Sequence, residues 1–297
     1  MRTAPLSRPA SVLRKADRRR PILWTSVAAA SLVAVGAAAW RGYDAYRQHA
    51  LEAALLALPP AGVFSEARLE GLPALAQRYL RHAIAPGIPL APAGRLTMRG
   101  TMTPSPGAEA VAFTADEVLA PRRGFVWTAH ARMQGLPVRV RDHYVDGDGG
   151  LHVAALGIVP LPVGGDGPDV TRSARGRLVA EAVWCPTALV HPSVQWEAVD
   201  DERVRYTVPV DGEAVTVTLR LSPDGAPREV TMQRWGDVDG PPWRSLPYGF
   251  AVEAERTFAG VTIPTRLTGG WHYGTSRFDP ATAATFVVEH AASDPAP

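Results

Sequence analysis

Cysteine and lysine are almost absent from this chain of 297 residues, in which Cys185 is the only cysteine and Lys15 the only lysine. A single cysteine excludes an intramolecular disulfide, a two-cysteine redox motif and a cysteine-rich zinc site. We expect Cys185 to be a small buried apolar side chain. The sequence contains no Gly-x-Ser-x-Gly elbow, no His-Glu-x-x-His and no phosphate-binding loop. Its eight histidines include no pair at metal-ligand spacing on one element, so we expect no metal and no cofactor.

Positive charge is scarce outside the N-terminus. The chain carries a net charge of +2, but residues 1–20 alone carry +6, which leaves −4 for the remainder. A mildly acidic body is unsuited to nucleic acid, so we expect no nucleic-acid partner. The apolar fraction of 46% and charged fraction of 20% are ordinary for a globular chain, and the length allows a sizeable core.

A long uncharged run, Ile22–Trp40, follows the basic N-terminus. As a helix it would span about 28 Å, close to the hydrocarbon thickness of a bilayer. Trp24 and Trp40 stand near its ends, and Arg18–Arg20 precede it, which predicts a cytoplasmic N-terminus and a main domain outside the cell membrane. We favour a retained single-pass signal anchor over a cleaved signal peptide, for which Ala37–Ala39 would supply the small residues. A buried globular helix is the least favoured alternative.

The remainder of the chain divides by its hydrophobic pattern. A helix is predicted over 72–84, where apolar residues recur every three or four positions, and another over 173–185, which Pro186 ends. The predicted organisation is a basic cytoplasmic tail (1–21), a transmembrane helix (22–40), a helical stalk (41–60), a helix and linker (61–94), an antiparallel β domain (95–291) and a disordered tail (292–297).

From residue 95 onward, apolar and polar residues alternate, as in half-buried antiparallel strands. Segments 124–132, 203–208 and 215–221 are clear examples, and Asp-Gly pairs at 146–147, 211–212 and 224–225 are hairpin signals. Strands follow one another with few helices between them, which favours a meander over a doubly wound parallel sheet. The predicted fold is therefore α+β: an N-terminal transmembrane helix, then a curved antiparallel β-sheet, a half-barrel or open barrel, covered by one or two helices.

Five short motifs in the exported part resemble an uncharacterised family of bacterial envelope proteins. The resemblance covers about residues 70–290 and rests on Leu72-Pro73 with Gln77–Ala83, Gly124–Trp127, Val138–Asp142, Trp184–Leu189 and Val194–Asp200. The pattern is also similar, at the level of fold, to the curved half-barrels of lipoprotein carriers and lipid-binding envelope proteins. The resemblance implies no assigned activity and no catalytic residues.

The densest polar cluster of the sequence lies within 139–144. Strand geometry puts Arg139, Arg141 and His143 on one face and Asp142 and Tyr144 on the other, apolar face. A carboxylate on an apolar face requires a partner. Asp142 is therefore predicted either to pair with an arginine elsewhere, which we favour, or to line a ligand cavity.

The covering helix supplies two more candidates. Glu181 falls at the edge of its apolar stripe, where a rim salt bridge is the favoured role and a contact inside the sheet the alternative. Trp184 is predicted to be core or cavity lining. The ligand-binding candidates are thus Arg139, Arg141, Asp142, Tyr144, Glu181 and Trp184, and no residue is assigned a catalytic role.

Three functions are compatible with these observations, and non-enzymatic ones are favoured. The first is a membrane-anchored protein that binds a lipid or other amphiphile in a concave β-sheet pocket. The second, nearly equal in weight, is an interaction or assembly module that docks another envelope protein. The least favoured is an acid–base hydrolase that would use Asp142, Glu181 and either His143 or His191.

Overall fold

The computed structural model describes residues 19–104 and 107–292, with side chains described from residue 35 onward. Its first element is a 38-residue helix, α1 (Arg19–Leu56), so the predicted anchor and the predicted stalk form one continuous helix. Among the described residues, no helix combines the length and the apolar stretch needed to cross a membrane. The side chains of 22–34, most of the predicted span, lie outside that description, as do the predicted tails at 1–18 and 293–297.

Antiparallel strands make up most of the β domain, as the alternating pattern predicts, and the described residues contain thirteen of them. Two further helices are α2 (Ala74–Ala83) and α3 (Pro168–Ala180). The strands are β1 (Gly94–Met102), β2 (Val111–Ala120), β3 (Gly124–Met133), β4 (Leu136–Val145), β5 (Asp148–Ala155), β6 (Val159–Asp166), β7 (Gln195–Ala198), β8 (Arg203–Val210), β9 (Glu213–Leu221), β10 (Pro227–Gly236), β11 (Arg244–Phe258), β12 (Val261–Trp271) and β13 (Ala284–Ala292).

All thirteen strands belong to one curved sheet whose order is β6-β5-β4-β3-β2-β1-β13-β12-β11-β10-β9-β8-β7. Every pairing is antiparallel, and nearly every neighbour in the sheet is a neighbour in sequence. The exception is the central pair, in which Arg95 of β1 stands opposite Ala292 of β13. The predicted α+β fold with a curved, open antiparallel sheet is confirmed.

Local sequence explains the strands and their turns. In β9, Val217, Leu219 and Leu221 are buried while the residues between them are at least partly exposed, because successive side chains point to opposite faces. The β4–β5 turn has positive φ at both central residues, Asp146 (49°) and Gly147 (86°), a conformation that Asp-Gly pairs adopt readily.

The concave face of the sheet is covered by α3, which contacts β4 and β5 on one side and β9 and β10 on the other. The helix is continued by two short 3-10 turns, Glu181–Trp184 and Pro186–Val190. The covering helix thus begins and ends earlier than the predicted range of 173–185. It begins at Pro168, directly after Gly167, and proline is tolerated in the first turn because the N–H that it lacks would have no partner within the helix.

The convex face is partly covered by the C-terminal part of α1. Leu55 is fully buried in a second, smaller core with Val118, Val126 and Val145. Nearer the N-terminus, the Asp44 carboxylate accepts a hydrogen bond of 2.7 Å from Arg139 and one from Arg141. The C-terminal half of α1, which includes most of the predicted stalk, thus contacts the β domain.

Candidate functional site

A cavity of about 910 Å³ lies between the concave face of the sheet and α3. One side of it is formed by β2–β6 and the other by β10–β13, so both halves of the sheet contribute. Most of its lining is apolar, and the larger side chains include Phe113, Trp127, Val138, Leu151, Trp184, Phe250 and Phe286. This volume lies near the upper end of the roughly 300–1,000 Å³ found for small-molecule sites.

Aromatic rings from both halves of the sheet meet around Phe286. Its ring centroid is 5.6 Å from that of Phe113, 5.7 Å from that of Phe250 and 6.2 Å from that of Trp184, all at edge-to-face angles. Phe113 in turn lies 5.6 Å from Trp127. Edge-to-face pairs at these separations are favourable, so the inner wall of the cavity is a packed aromatic surface.

A charged cluster lies where α3 meets this wall. The guanidinium of Arg177 donates hydrogen bonds to Asp142 (2.6 Å) and Glu181 (2.7 Å), and its Nη2 is 4.0 Å from Glu117 Oε1. Its charge also lies 4.8 Å from the ring centroid of Trp127, in a cation–π arrangement. Burial opposes the charge on Arg177, but the surrounding carboxylates outweigh it and raise its pKa.

Glu117 is the most enclosed member of the cluster, with a residue exposure of 2%. As an ionised carboxylate, Glu117 would accept no hydrogen bond from the described residues at either oxygen. Burial raises the pKa of Glu117 well above its ordinary value, and the negative charge of Glu181 raises it further. A protonated Glu117 can donate to Glu181, which leaves two carboxylates and one guanidinium, a net charge of −1.

A second arginine, Arg234, also lines the cavity and packs against α3. Arg234 lies 4.7 Å from the ring centroid of Tyr248 and 5.0 Å from that of Trp271, and its Nε donates to the carbonyl of Ser173 (3.1 Å). No carboxylate pairs with Arg234 within the described part of the chain. The cavity lining therefore includes an excess negative charge at the Arg177 cluster and a positive group at Arg234.

The mouth of the cavity is held by a network around Asp239. This carboxylate accepts hydrogen bonds from Arg244 (2.5 Å), Arg277 (2.7 Å) and the ring of His272 (2.9 Å). The hydrogen bond from Arg277 is the largest cause that lowers the pKa of Asp239, to about 2. The network ties the β10–β11 turn to the segment after β12.

The structure divides the predicted site residues between the two faces of the sheet. Asp142, Glu181 and Trp184 line the cavity, and Trp184 Nε1 donates to the carbonyl of Pro264 (3.0 Å). Arg139 and Arg141 point to the convex face, where Asp44 holds them, so they lie outside the cavity. Tyr144 is buried on the concave side beyond the cavity, and its hydroxyl donates to Asp211 and accepts from Arg175.

The proposed acid–base residues do not assemble. Asp142 and Glu181 come together on Arg177, but His143 points to the opposite face, where its Nδ1 lies 2.9 Å from the carbonyl of Gly150. His191 forms a hydrogen bond with Ser193 after the second 3-10 turn. Within the described ranges, no three His, Cys, Asp or Glu side chains are grouped so that they could hold a metal ion.

Sequence reasoning missed three charged residues of the cavity region: Glu117, Arg177 and Arg234. Each is a charged residue at a position where the spacing of the neighbouring apolar residues, every second one in a strand or every third or fourth in a helix, calls for an apolar side chain. Glu117 follows Phe113 and Ala115 on the buried face of β2, and Arg234 follows Val230 and Met232 in β10. A charge within an apolar row is the signal that could have found them.

Fold and cavity together define a class of protein: an open antiparallel half-barrel with a covering helix and an internal apolar cavity. The model of a family of unknown function, DUF6544, matches residues 62–282, and the chain belongs to this family. No curated protein matches the chain.

Two solved structures are similar in outline. One is a LolA superfamily protein from Nitrosomonas europaea, 10% identical, with a TM-score of 0.38 over 73% of this chain and 91% of that chain. The other is a DUF1329 family protein from Desulfovibrio piger, 10% identical, with a TM-score of 0.33 over 79% of this chain and 93% of that chain. At these scores the likeness supports no inference about function.

Proposed function

We propose that this protein binds a lipid or another amphiphile in the cavity under α3 while a helix within residues 22–40 anchors it in the cell membrane. The cavity of about 910 Å³ with a mainly apolar lining is the observation that carries this proposal. Its apolar wall suits a hydrocarbon chain, and the two charged positions at Arg177 and Arg234 suit a polar head.

The anchor and the orientation are supported by the sequence of the N-terminal part. The uncharged run Ile22–Trp40 is long enough for a bilayer, and the arginines before it favour a cytoplasmic N-terminus with the β domain outside. The helix α1 is continuous from Arg19 to Leu56, so an anchored N-terminal part would hold the β domain beside the membrane.

The first test is native mass spectrometry of the full chain released from mild detergent, followed by solvent extraction of any bound molecule. A bound mass in the lipid range supports the proposal. A bare chain that also fails to bind a fluorescent fatty acid would refute it.

A matched pair of substitutions on β3 locates the binding. Ala131 lines the cavity, whereas its neighbour His130 is exposed on the other face. Because an indole at position 131 would occupy the space of the ligand, Ala131→Trp is expected to weaken fatty-acid binding about tenfold or more, about 1.4 kcal/mol. His130→Trp is the control and should bind as the parent does, with circular dichroism to check that both variants are folded.

The rival proposal, docking of another envelope protein, is supported by the free edges of the sheet. Among the described strands, β6 and β7 each pair on one side only. An unpaired strand edge can accept a strand from another protein. Crosslinking in intact cells that captures one stoichiometric partner through β6 or β7, together with an empty cavity, would favour this function over lipid binding.

A further inference from the structure

The mouth of the cavity lies at one end of the strands, where hairpins from both halves of the sheet close. Strand pairing gives this end, because every second hairpin of the meander closes there, with Met102 opposite Val111, Met133 opposite Leu136, Ala155 opposite Val159 and Gly236 opposite Arg244. The cavity is lined by residues of these same turns, including Met133 and Val238.

The helix α1 leaves the β domain at this same end. Its C-terminal Leu55 packs at the opposite end, beside Ala120 and Val145, the last residues of β2 and β4. Toward the N-terminus the helix passes Arg139, and at Arg41 it reaches the β5–β6 turn, where a Cβ built on Gly157 would lie 3.5 Å from the Arg41 guanidinium. The residues before Arg41 extend beyond the sheet by about 1.5 Å each, some 30 Å in all.

Exposed apolar side chains are concentrated at this end. Eleven large apolar side chains are exposed among the described residues, and only Val63 and Val199 lie neither on α1 nor around the cavity mouth. Four belong to α1. The remaining five form a surface that we name the apolar rim: Leu136, Leu156, Val159, Val163 and Val238. Exposed apolar side chains that gather at one end of a domain indicate an interaction surface.

We propose that the apolar rim contacts the surface of the lipid bilayer, so that the cavity opens directly onto the membrane from which α1 projects. The proposal rests on the membrane anchor of the proposed function. A bilayer is the occupant that the geometry favours, because the uncharged run Ile22–Trp40 leads away from the β domain on the side of the rim. An amphiphile could then pass between bilayer and cavity without exposing its chain to water.

Depth-dependent fluorescence quenching tests this contact. Leu136 and Val63 are matched for exposure, at 55% and 54%, but Val63 lies at the far end of the β domain, after the C-terminus of α1. Each is replaced by cysteine in the full chain and labelled with an environment-sensitive nitrobenzoxadiazole dye. The proteins are reconstituted into vesicles of phosphatidylethanolamine and phosphatidylglycerol that carry nitroxide groups on the acyl chains.

The dye on Leu136→Cys is expected to shift its emission to the blue and to lose most of its intensity to the nitroxide lipids. The dye on Val63→Cys should keep its intensity. Equal quenching at both positions, or none at Leu136→Cys, would overturn the proposal. The unsubstituted chain gives the labelling background of Cys185, which is buried. Leu156→Cys repeats the measurement on a second hairpin in case the first variant does not fold.

Failure of this proposal is distinguishable from failure of the proposed function. A chain that does not float with the vesicles lacks the anchor, which refutes both. A chain that floats and carries a bound lipid, but shows no quenching at the rim, binds its ligand without presenting the cavity to the bilayer. Quenching at the rim with an empty cavity would support the membrane contact and leave lipid binding refuted.

Discussion

Glu117 is a carboxyl group in an apolar row, and its environment decides its protonation. Phe113, Ala115 and Leu119 share its face of β2, and all are buried. Because burial raises the pKa of Glu117 above the ordinary 4.5, the folded chain keeps the proton of this carboxyl group to a higher pH than the unfolded chain does. Folding is therefore coupled to proton uptake at this residue.

The sign of this coupling gives a prediction. The stabilising contribution is complete below about pH 4.5 and is lost as the pH rises toward the raised pKa of Glu117, by about 1.4 kcal/mol per pH unit. Glu117→Gln is neutral at every pH and keeps a donor for Glu181. We expect this variant to be at least as stable as the parent at pH 7 and to lose this part of the pH dependence, measured by chemical denaturation from pH 4 to pH 8.

Asp116→Asn is the control for this measurement, because Asp116 is the neighbouring residue on the exposed face of the same strand. It should leave the pH dependence close to that of the parent. A Glu117→Gln variant that is less stable at pH 7, with the parent's pH profile intact, would contradict a protonated Glu117.

The face of the sheet on which a side chain lies could be predicted where apolar and polar residues alternate strictly. The ion-pair partner of a side chain could not be predicted where that partner is distant in the sequence. The pattern around 138–144 predicted which side chains share a face, and the structure places Asp142 on the concave side with Arg177 as its partner. No local signal indicates that Arg139 and Arg141 meet Asp44, about ninety-five residues earlier in the chain. Their role could not be read from the sequence because it depends on where α1 packs.

At the scale of elements, the attachment of α1 depends on a buried ion cluster. Asp44 is 8% exposed and accepts hydrogen bonds from Arg139 and Arg141 on the convex face of β4. Removing the carboxylate would leave two guanidinium groups without their partner in a largely buried position, which is costly. This contact, together with the packing of Leu55, fixes the direction in which α1 leaves the β domain.

We expect Asp44→Ala to lower the free energy of unfolding by about 3 kcal/mol and to increase hydrogen exchange in the C-terminal half of α1. Arg47→Ala is the matched comparison on the same helix, because its pair with Asp148 is exposed. That change should alter stability by less than about 1 kcal/mol. Similar losses in both variants, with exchange in α1 unchanged, would show that the Asp44 cluster does not attach the helix.

Element boundaries were predicted less well than element types. The glycines at 164–165 and 167 do not form a long loop: β6 continues to Asp166, and α3 begins directly after Gly167. Glycine tolerates positive φ within a strand at an irregular pairing, and the β5–β6 pairing shifts register there. The predicted helix at 173–185 consequently began five residues too late and included a 3-10 turn.

At the scale of the whole molecule, the central pairing of β1 with β13 joins two meanders into one sheet. A meander can be predicted from successive hairpins, but a pair separated by about 190 residues leaves no local pattern. The cavity depends on this pairing because its lining comes from both halves. The sequence therefore predicted a concave sheet without predicting where its two walls meet.

Removal of β13 tests this dependence. Truncation after Ala283 would leave β1 and β12 unpaired along the centre of the sheet and would remove Phe286 from the aromatic wall. We expect this variant to lack a cooperative unfolding transition by circular dichroism. Truncation after Ala292 is the control and should retain the transition of the full chain. Two separate, stable transitions in the shorter variant would show that each meander folds independently.

The strand order has one more consequence, for chain connectivity. The first strand, β1, and the last, β13, are neighbours in the sheet, and the two edge strands, β6 and β7, are joined by the segment that contains α3. The sheet therefore has the order of a simple meander whose chain ends lie at its centre instead of at its edges. A circular permutant that joins the two ends of the chain, and so keeps α2 and its core residues, and that opens between β6 and β7 would have every strand beside its neighbour in sequence. Such a permutant would have a much lower contact order, and it should fold faster than the natural connectivity.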